Sequence, residues 1–367
     1  MKNILVSVFF LSAIPFSSPQ QGISKLATKP ATVAGNIFII TIDGFRWQEI
    51  FNGADSILIN DEIFTPDTGY IKMLYWDNNA ATRRKKLMPF FWNILAAKGQ
   101  LYGNRAFDNK INTANIYTIS YPGYSEMFTG TTDMNISSNE KIKNPNTNIL
   151  EYLDSKSSFK GKVAAFTSWD VFPYIFNEDR NSFVINSGYS PMIDTVNSIQ
   201  QQIINRVQED AVYEKAATRF DELTFLTAKE YIRKHQPRVM FLGLGETDEM
   251  AHQKRYDLYL DQANKVDKMI AELWHYVQTT DGYKNNTTFI ITTDHGRGKK
   301  SGRWTSHGEF IAGSSQTWLA VIGPGIKPIG EIKEGQQLYQ QQLAQTIAHL
   351  LGEEFEADNI APAISLR

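Results

Sequence analysis

Apolar and β-branched residues gather into short dense runs at 36–42, 162–167, 238–244 and 288–291, with a later run at 318–322 and a shorter one near 101–107. Runs this short and this uniformly apolar predict strands covered on both faces. Between them, at 87–98, 146–153, 212–235, 257–276 and 338–351, the apolar positions recur at helical spacing. Strand and helix patterns alternate along the chain. This predicts an α/β fold, with a mostly parallel central sheet and helices on both faces. Two stretches, 45–86 and 168–211, carry Gly, Pro, Asn and Asp punctuation instead. They predict loop insertions near the carboxyl edge of the sheet, where ligands of open α/β sheets gather.

Length adds that one elaborated domain can bury a large core: the chain has 367 residues. Residues 1–22 open with Lys2, run through a mainly apolar stretch from Ile4 to Ile14, and end in small and polar residues. That is a secretory signal pattern, which makes 23–367 the mature domain and export to periplasm or medium the expectation. Its apolar part is too short to span a bilayer, and no later segment approaches ~20 uninterrupted apolar residues. With Lys plus Arg at 37 and Asp plus Glu at 39, the net charge of −2 indicates no nucleic-acid surface and no anionic-membrane partner. There is no cysteine, so disulfides, thiolate catalysis and Cys-ligated metal are excluded.

Several runs stop at residues that carry chemistry. The first ends at Asp43-Gly44, the third leads into Asp248 and His252, and the fourth ends at Asp294-His295-Gly296. Asp248 and His252 are four apart, so one helical turn puts them on one face. The later His307 follows a glycine-rich, basic segment with Arg297, Lys299, Lys300 and Arg303. Those charges suit either an anionic substrate or a solvated loop. In Ser120-Tyr121-Pro122-Gly123, Pro122 pre-sets a helical first turn, so Ser120 stands at a helix amino end, where free amides and the dipole favour an anion. Three carboxylates, three imidazoles and a hydroxyl suit two divalent cations. One would be held by Asp248, His252 and His307, the other by Asp43, Asp294 and His295, with Ser120 between them. Paired cations fit phosphate ester hydrolysis. His235, His275 and His349 match no such pattern and read as surface or packing residues.

DGFR at 43–46, SYPGYSEMFTG at 120–130, D-x-x-x-H at 248–252, TTDHG at 292–296 and His307 resemble the alkaline phosphatase superfamily, nearest its nucleotide pyrophosphatase/phosphodiesterase branch. The resemblance covers most of the mature chain. It implies an alkaline phosphatase-like fold and two zinc ions in the partition above. It also implies Ser120 as the nucleophile and a further metal ligand, and a small-molecule phosphate ester as substrate. That branch usually carries Thr in a T-F-P-N-type motif, so substrate preference does not transfer with the serine. An asparagine that holds the phosphoryl oxygen is matched by Asn139, with Asn135 and Asn144 as alternatives. A phosphomonoesterase is the nearest alternative. A sulfatase needs Arg where Tyr124 stands in S-x-P-x-R, and an exported binding protein would lack a ligand or nucleophile.

Overall fold

The computed structural model describes residues 33–193, 198–215 and 218–367. The leader expected at 1–22 lies outside them. The strands are β1 (Asn36–Ile42), β2 (Gln100–Tyr102), β3 (Asn109–Asn112), β4 (Val163–Thr167), β5 (Val184–Ser187), β6 (Val239–Leu244), β7 (Thr287–Thr292), β8 (Gln316–Thr317), β9 (Leu319–Ile322), β10 (Gly330–Glu331) and β11 (Gln336–Tyr339). Among the described residues, eight form the central sheet in the order β10-β2-β9-β7-β1-β6-β4-β5, and β11-β3-β8 form a small second sheet. From β7 through β1, β6 and β4 to β5 every pairing is parallel, while β9 runs antiparallel to both β7 and β2.

All seven residues of β1 are buried, because successive side chains point into two different cores. Phe38, Ile40 and Ile42 pack with Phe225, Ile232, Tyr259 and Leu273 from the helices Asp221–His235 and Tyr256–Thr279. Ile37 and Ile39 pack with Tyr124, Phe128, Leu150 and Ile347 from the helices Ser120–Thr129, Ile149–Ser155 and Leu343–Leu350 on the other face. The mostly parallel, doubly covered α/β sheet expected from the sequence is what forms.

Several boundaries differ from the sequence expectation. The helix expected over 212–235 begins only at Asp221, and a separate helix, Ile199–Ala211, precedes it. Tertiary contacts set that break. Thr218 bridges Trp169, and the buried Arg219 guanidinium donates to the Thr167 carbonyl at 3.1 Å and to Asn186 Oδ1 at 2.7 Å. The stretch 168–211 also supplies β5, which extends the central sheet beside β4. At the carboxyl end, residues 336–339 pair with β3, so the closing helix is Leu343–Leu350 rather than 338–351. The helix expected over 87–98 forms over 89–98, with a π-turn, Phe91–Leu95, inside it. No described helix is long and apolar enough to cross a membrane.

Candidate metal centre and nucleophile

Because β1, β6 and β7 run in parallel, their carboxyl ends open at one edge of the sheet, and the loops leaving them meet there. Asp43 follows β1, the helix Glu246–His252 follows β6, and Asp294 and His295 follow β7. Gly44 makes the convergence possible. It sits at φ +59°, and a β-carbon there would lie 2.6 Å from Asp248 Oδ1 and 3.2 Å from the His295 ring. Its N–H donates to Asp294 Oδ1 at 3.1 Å.

His295 is the hub. Its Nε2 is 3.4 Å from Asp294 Oδ2, 3.6 Å from Asp43 Oδ1, 3.9 Å from Asp248 Oδ1 and 3.2 Å from Ser120 Oγ. Its Nδ1 lies 2.9 Å from the Gly296 carbonyl, which can only accept. Nδ1 therefore carries the proton and Nε2 presents a lone pair to the carboxylates and the serine. His307 is set in the same way: its Nδ1 faces the Thr118 carbonyl at 3.2 Å, and its Nε2 lies 3.6 Å from Asp248 Oδ1 and 3.0 Å from His252 Nε2. His252, half-exposed, reaches Asp248 Oδ2 at 3.1 Å. The two donor clusters that form share His295: Asp43 with Asp294, and Asp248 with His307. All six predicted carboxylates and imidazoles thus converge, with Ser120 beside them.

The electrostatics suit cations. Burial pushes the Asp294 carboxyl up to about 7, and burial with repulsion from Asp294 and Asp248 raises Asp43 well above the usual carboxylate range. Asp43 Oδ1 and Asp294 Oδ2 are buried without a hydrogen-bond partner. Two orphaned buried carboxylate oxygens facing one imidazole lone pair are what a divalent cation would satisfy. Burial lowers His295 to about 4 and holds His307 well below the ordinary imidazole value, so both are neutral ligands at neutral pH. Burial works to raise Asp248 as well, but the Arg297 guanidinium paired with its Oδ1, together with the three imidazoles around it, outweighs burial and holds Asp248 ionised. With His295 and His307 neutral, Arg297 is a standing positive charge there.

Ser120 opens the helix Ser120–Thr129, and Gly123 lets that helix press onto the Asp294 backbone, where a β-carbon would sit 2.6 Å from its carbonyl oxygen. The first-turn amides that follow Ser120 are not free to receive an anion. Tyr121 N–H donates to Asn139 Oδ1 at 2.9 Å, Pro122 has none, and Gly123 N–H donates to the Ile119 carbonyl. Asn139 lines a cavity of about 140 Å³ together with Asp43, Ser120, Trp169, Thr218, Gly245, Asp248 and Glu249. Asn135 is turned to Asp133, and Asn144 is buried against Ser125 Oγ. Of the three asparagines, only Asn139 is in the cavity wall.

Sequence reasoning missed three participants. The sequence groups Arg297 with Lys299, Lys300 and Arg303; those three are exposed, while Arg297 is buried and also donates to the Trp304 and Thr305 carbonyls. The only signal was its place directly after the Asp-His-Gly turn. Tyr124 hydroxyl donates to Asp43 Oδ2 at 3.1 Å from one turn below Ser120, a spacing that was visible. Trp169 reaches the cavity through a turn that nothing in the sequence marked. His235, stacked on Tyr231, and His349, paired with Glu354, lie outside the centre, as expected.

Residues 57–359 match the sequence model of the type I phosphodiesterase / nucleotide pyrophosphatase family. The chain belongs to this family. It is accordingly a phosphoester hydrolase of the alkaline phosphatase superfamily, whose members are metal-dependent. Solved structures share the fold of this phosphodiesterase-family chain. Wild-type alkaline phosphatase PafA superposes with TM-score 0.60 at 12% identity, covering 92% of this chain and 99% of that one. The lipoteichoic acid synthase LtaP from Listeria monocytogenes gives 0.56 at 14%, covering 94% and 79%. The 2-O GAG sulfatase BT1596 gives 0.51 at 13%, covering 90% and 73%. No curated protein matches the sequence.

Proposed function

We propose that this family member is an exported phosphoric ester hydrolase that uses two zinc ions and a serine nucleophile, with phosphodiester or nucleotide pyrophosphate substrates. The reading rests on one observation above all: Ser120 Oγ lies 3.2 Å from His295 Nε2, within a set of three carboxylates and three imidazoles that is buried at Asp43, Asp294 and His295, where two carboxylate oxygens are unpartnered. Asp248, His252 and His307 would hold one zinc, and Asp43, Asp294, His295 and Ser120 the other. When bound, the two cations supply the Lewis acidity that favours the ionised serine and stabilises negative charge on the transferring group.

The chain's own residues then have distinct tasks. Ser120 Oγ forms a bond to phosphorus while the bond to the leaving oxygen breaks, and water later hydrolyses the phosphoserine. The dipole of the helix Ser120–Thr129 favours the charge that develops on that oxygen. Asn139 has its Oδ1 occupied by Tyr121 N–H, so it offers a phosphoryl oxygen its amide donors. Tyr124 fixes Asp43, and Arg297 fixes Asp248. Tyr124 also fills the place of the arginine in the sulfatase motif, which makes sulfate ester hydrolysis the weaker reading.

The test is elemental analysis with paired substrates. Active protein should contain about two zinc per chain and should cleave aryl phosphodiesters in preference to monoesters and sulfates. His307→Ala should lose one zinc and most activity, while His349→Ala should keep both. A fully active preparation without metal would overturn the reading, and monoester preference would move it to the phosphomonoesterase alternative.

A further inference from the structure

The helix that carries Ser120 also carries Glu126, a carboxylate only 1% exposed that no part of the proposed chemistry uses. It is aimed at the segment 113–118 that leads into the nucleophile. Ala114 N–H donates to its Oε1 at 2.9 Å and its Oε2 at 3.0 Å. Asn115 donates to Oε2 twice, from its backbone N–H at 2.6 Å and its side-chain amide at 2.9 Å. Asn115 Oδ1 then accepts the Thr118 N–H at 2.8 Å. Thr118 stands at φ +50°, a left-handed conformation that is costly for a β-branched residue and persists only where its surroundings impose it. In that conformation its carbonyl meets His307 Nδ1 at 3.2 Å. The chain of contacts therefore runs from Glu126 through Asn115 and a strained Thr118 to the imidazole of His307. His295 offers a built-in comparison, because its Nδ1 is held by the carbonyl of its own neighbour Gly296 and depends on none of these residues.

We infer that Glu126 is a positioning residue: by gripping Ala114 and Asn115 it holds the Thr118 carbonyl where it fixes the tautomer and orientation of His307. This rests on the reading of His307 as a cation ligand, whose lone pair must sit on Nε2. Outer-sphere partners of ligating imidazoles act in this way, and their loss typically weakens metal affinity about 10–100-fold. The device also ties the serine and one cation site to the same helix, so the two cannot drift apart independently.

The test compares full-length wild type, Glu126→Ala, Glu126→Gln and Asn115→Ala by zinc titration against a competing chelator. A second readout is ¹⁵N–¹H spectroscopy of histidine-labelled protein partly depleted of zinc, at a pH above imidazole titration. Glu126→Ala and Asn115→Ala should weaken one of two zinc sites about 10–100-fold and give His307 a mixed tautomer, while His295 keeps its proton on Nδ1. Glu126→Gln retains an acceptor for Asn115 and should restore most of the affinity. Equal weakening of both sites, an equal change in both histidines, or no change in a folded variant would each overturn the inference. If Glu126→Ala does not fold, Asn115→Ala decides by the same criteria. Wild type that binds fewer than two zinc ions would instead overturn the functional reading, so the two failures remain distinguishable.

Discussion

Ser120 and Ser125 are both buried hydroxyls on one helix, yet only Ser120 approaches the ligand cluster; Ser125 Oγ accepts a hydrogen bond from Asn144 at 2.9 Å. Ser120→Ala should therefore preserve the fold and most of the metal while lowering turnover by several orders of magnitude, as nucleophile deletions do. Phosphoenzyme trapped in wild type should map to the peptide containing Ser120 and vanish in the variant. Near-normal turnover would mean that water attacks directly. Arg297 poses a different question, since a buried guanidinium beside Asp248 and a cation on the same carboxylate are both positive. Removing one partner of a buried pair costs ~3–5 kcal/mol where no other charge compensates. Arg297→Ala should thus melt well below wild type without metal, and added zinc should recover more of its melting temperature than it adds to wild type. Equal zinc gains in the two proteins would show that Arg297 acts through the Trp304 and Thr305 carbonyls alone.

The helix Tyr256–Thr279 crosses one face of the sheet and is tied to the 88–98 segment by Asp267, whose carboxylate accepts the backbone N–H groups of Phe90 and Phe91 at 2.7 and 2.8 Å. Burial pushes that carboxyl from 3.8 up to about 7. A raised carboxyl pKa in the folded state means that the folded protein favours the protonated form. The associated stability is fully present below about 4 and is lost as pH rises through about 7. In Asp267→Asn this component disappears, so the variant should gain stability relative to wild type as pH rises across that window. Urea unfolding at several pH values measures it, and a constant wild-type-to-variant difference would exclude the effect.

The whole molecule gathers its candidate ligands, Ser120 included, from five regions of chain between Asp43 and His307, so the proposed centre exists only when the sheet is complete. The proposed leader rests on Lys2 and the apolar stretch Ile4 to Ile14. Mass spectrometry of exported protein should find a new amino terminus between residues 17 and 26, and recovery of intact Met1 protein from cytosol alone would count against it.

Buried strands need runs of apolar residues whatever else they touch, so β1, β4, β6 and β7 were legible as strands from the sequence alone, and so was the α/β class. The candidate site residues were legible for a related reason: parallel strands place their carboxyl ends at one edge, which makes a strand-terminal Asp or His conspicuous without any coordinates. Long-range contacts carry no such local mark. That the helices Ile199–Ala211 and Asp221–His235 are separate depends on where Arg219 and Thr218 dock, and the strand β11 depends on its partner β3. Whether a basic residue of the 297–303 loop is buried against Asp248, as Arg297 is, or solvated, as Lys299 is, depends on a neighbour about fifty positions away. Helical amides could be expected to be free at Ser120 until Asn139 folded back to take one. Local pattern thus determined the elements and the chemistry they carry. Only tertiary packing decided which polar groups meet, because a hydrogen bond or ion pair is specified by two residues at once and the sequence near either one names only half of it.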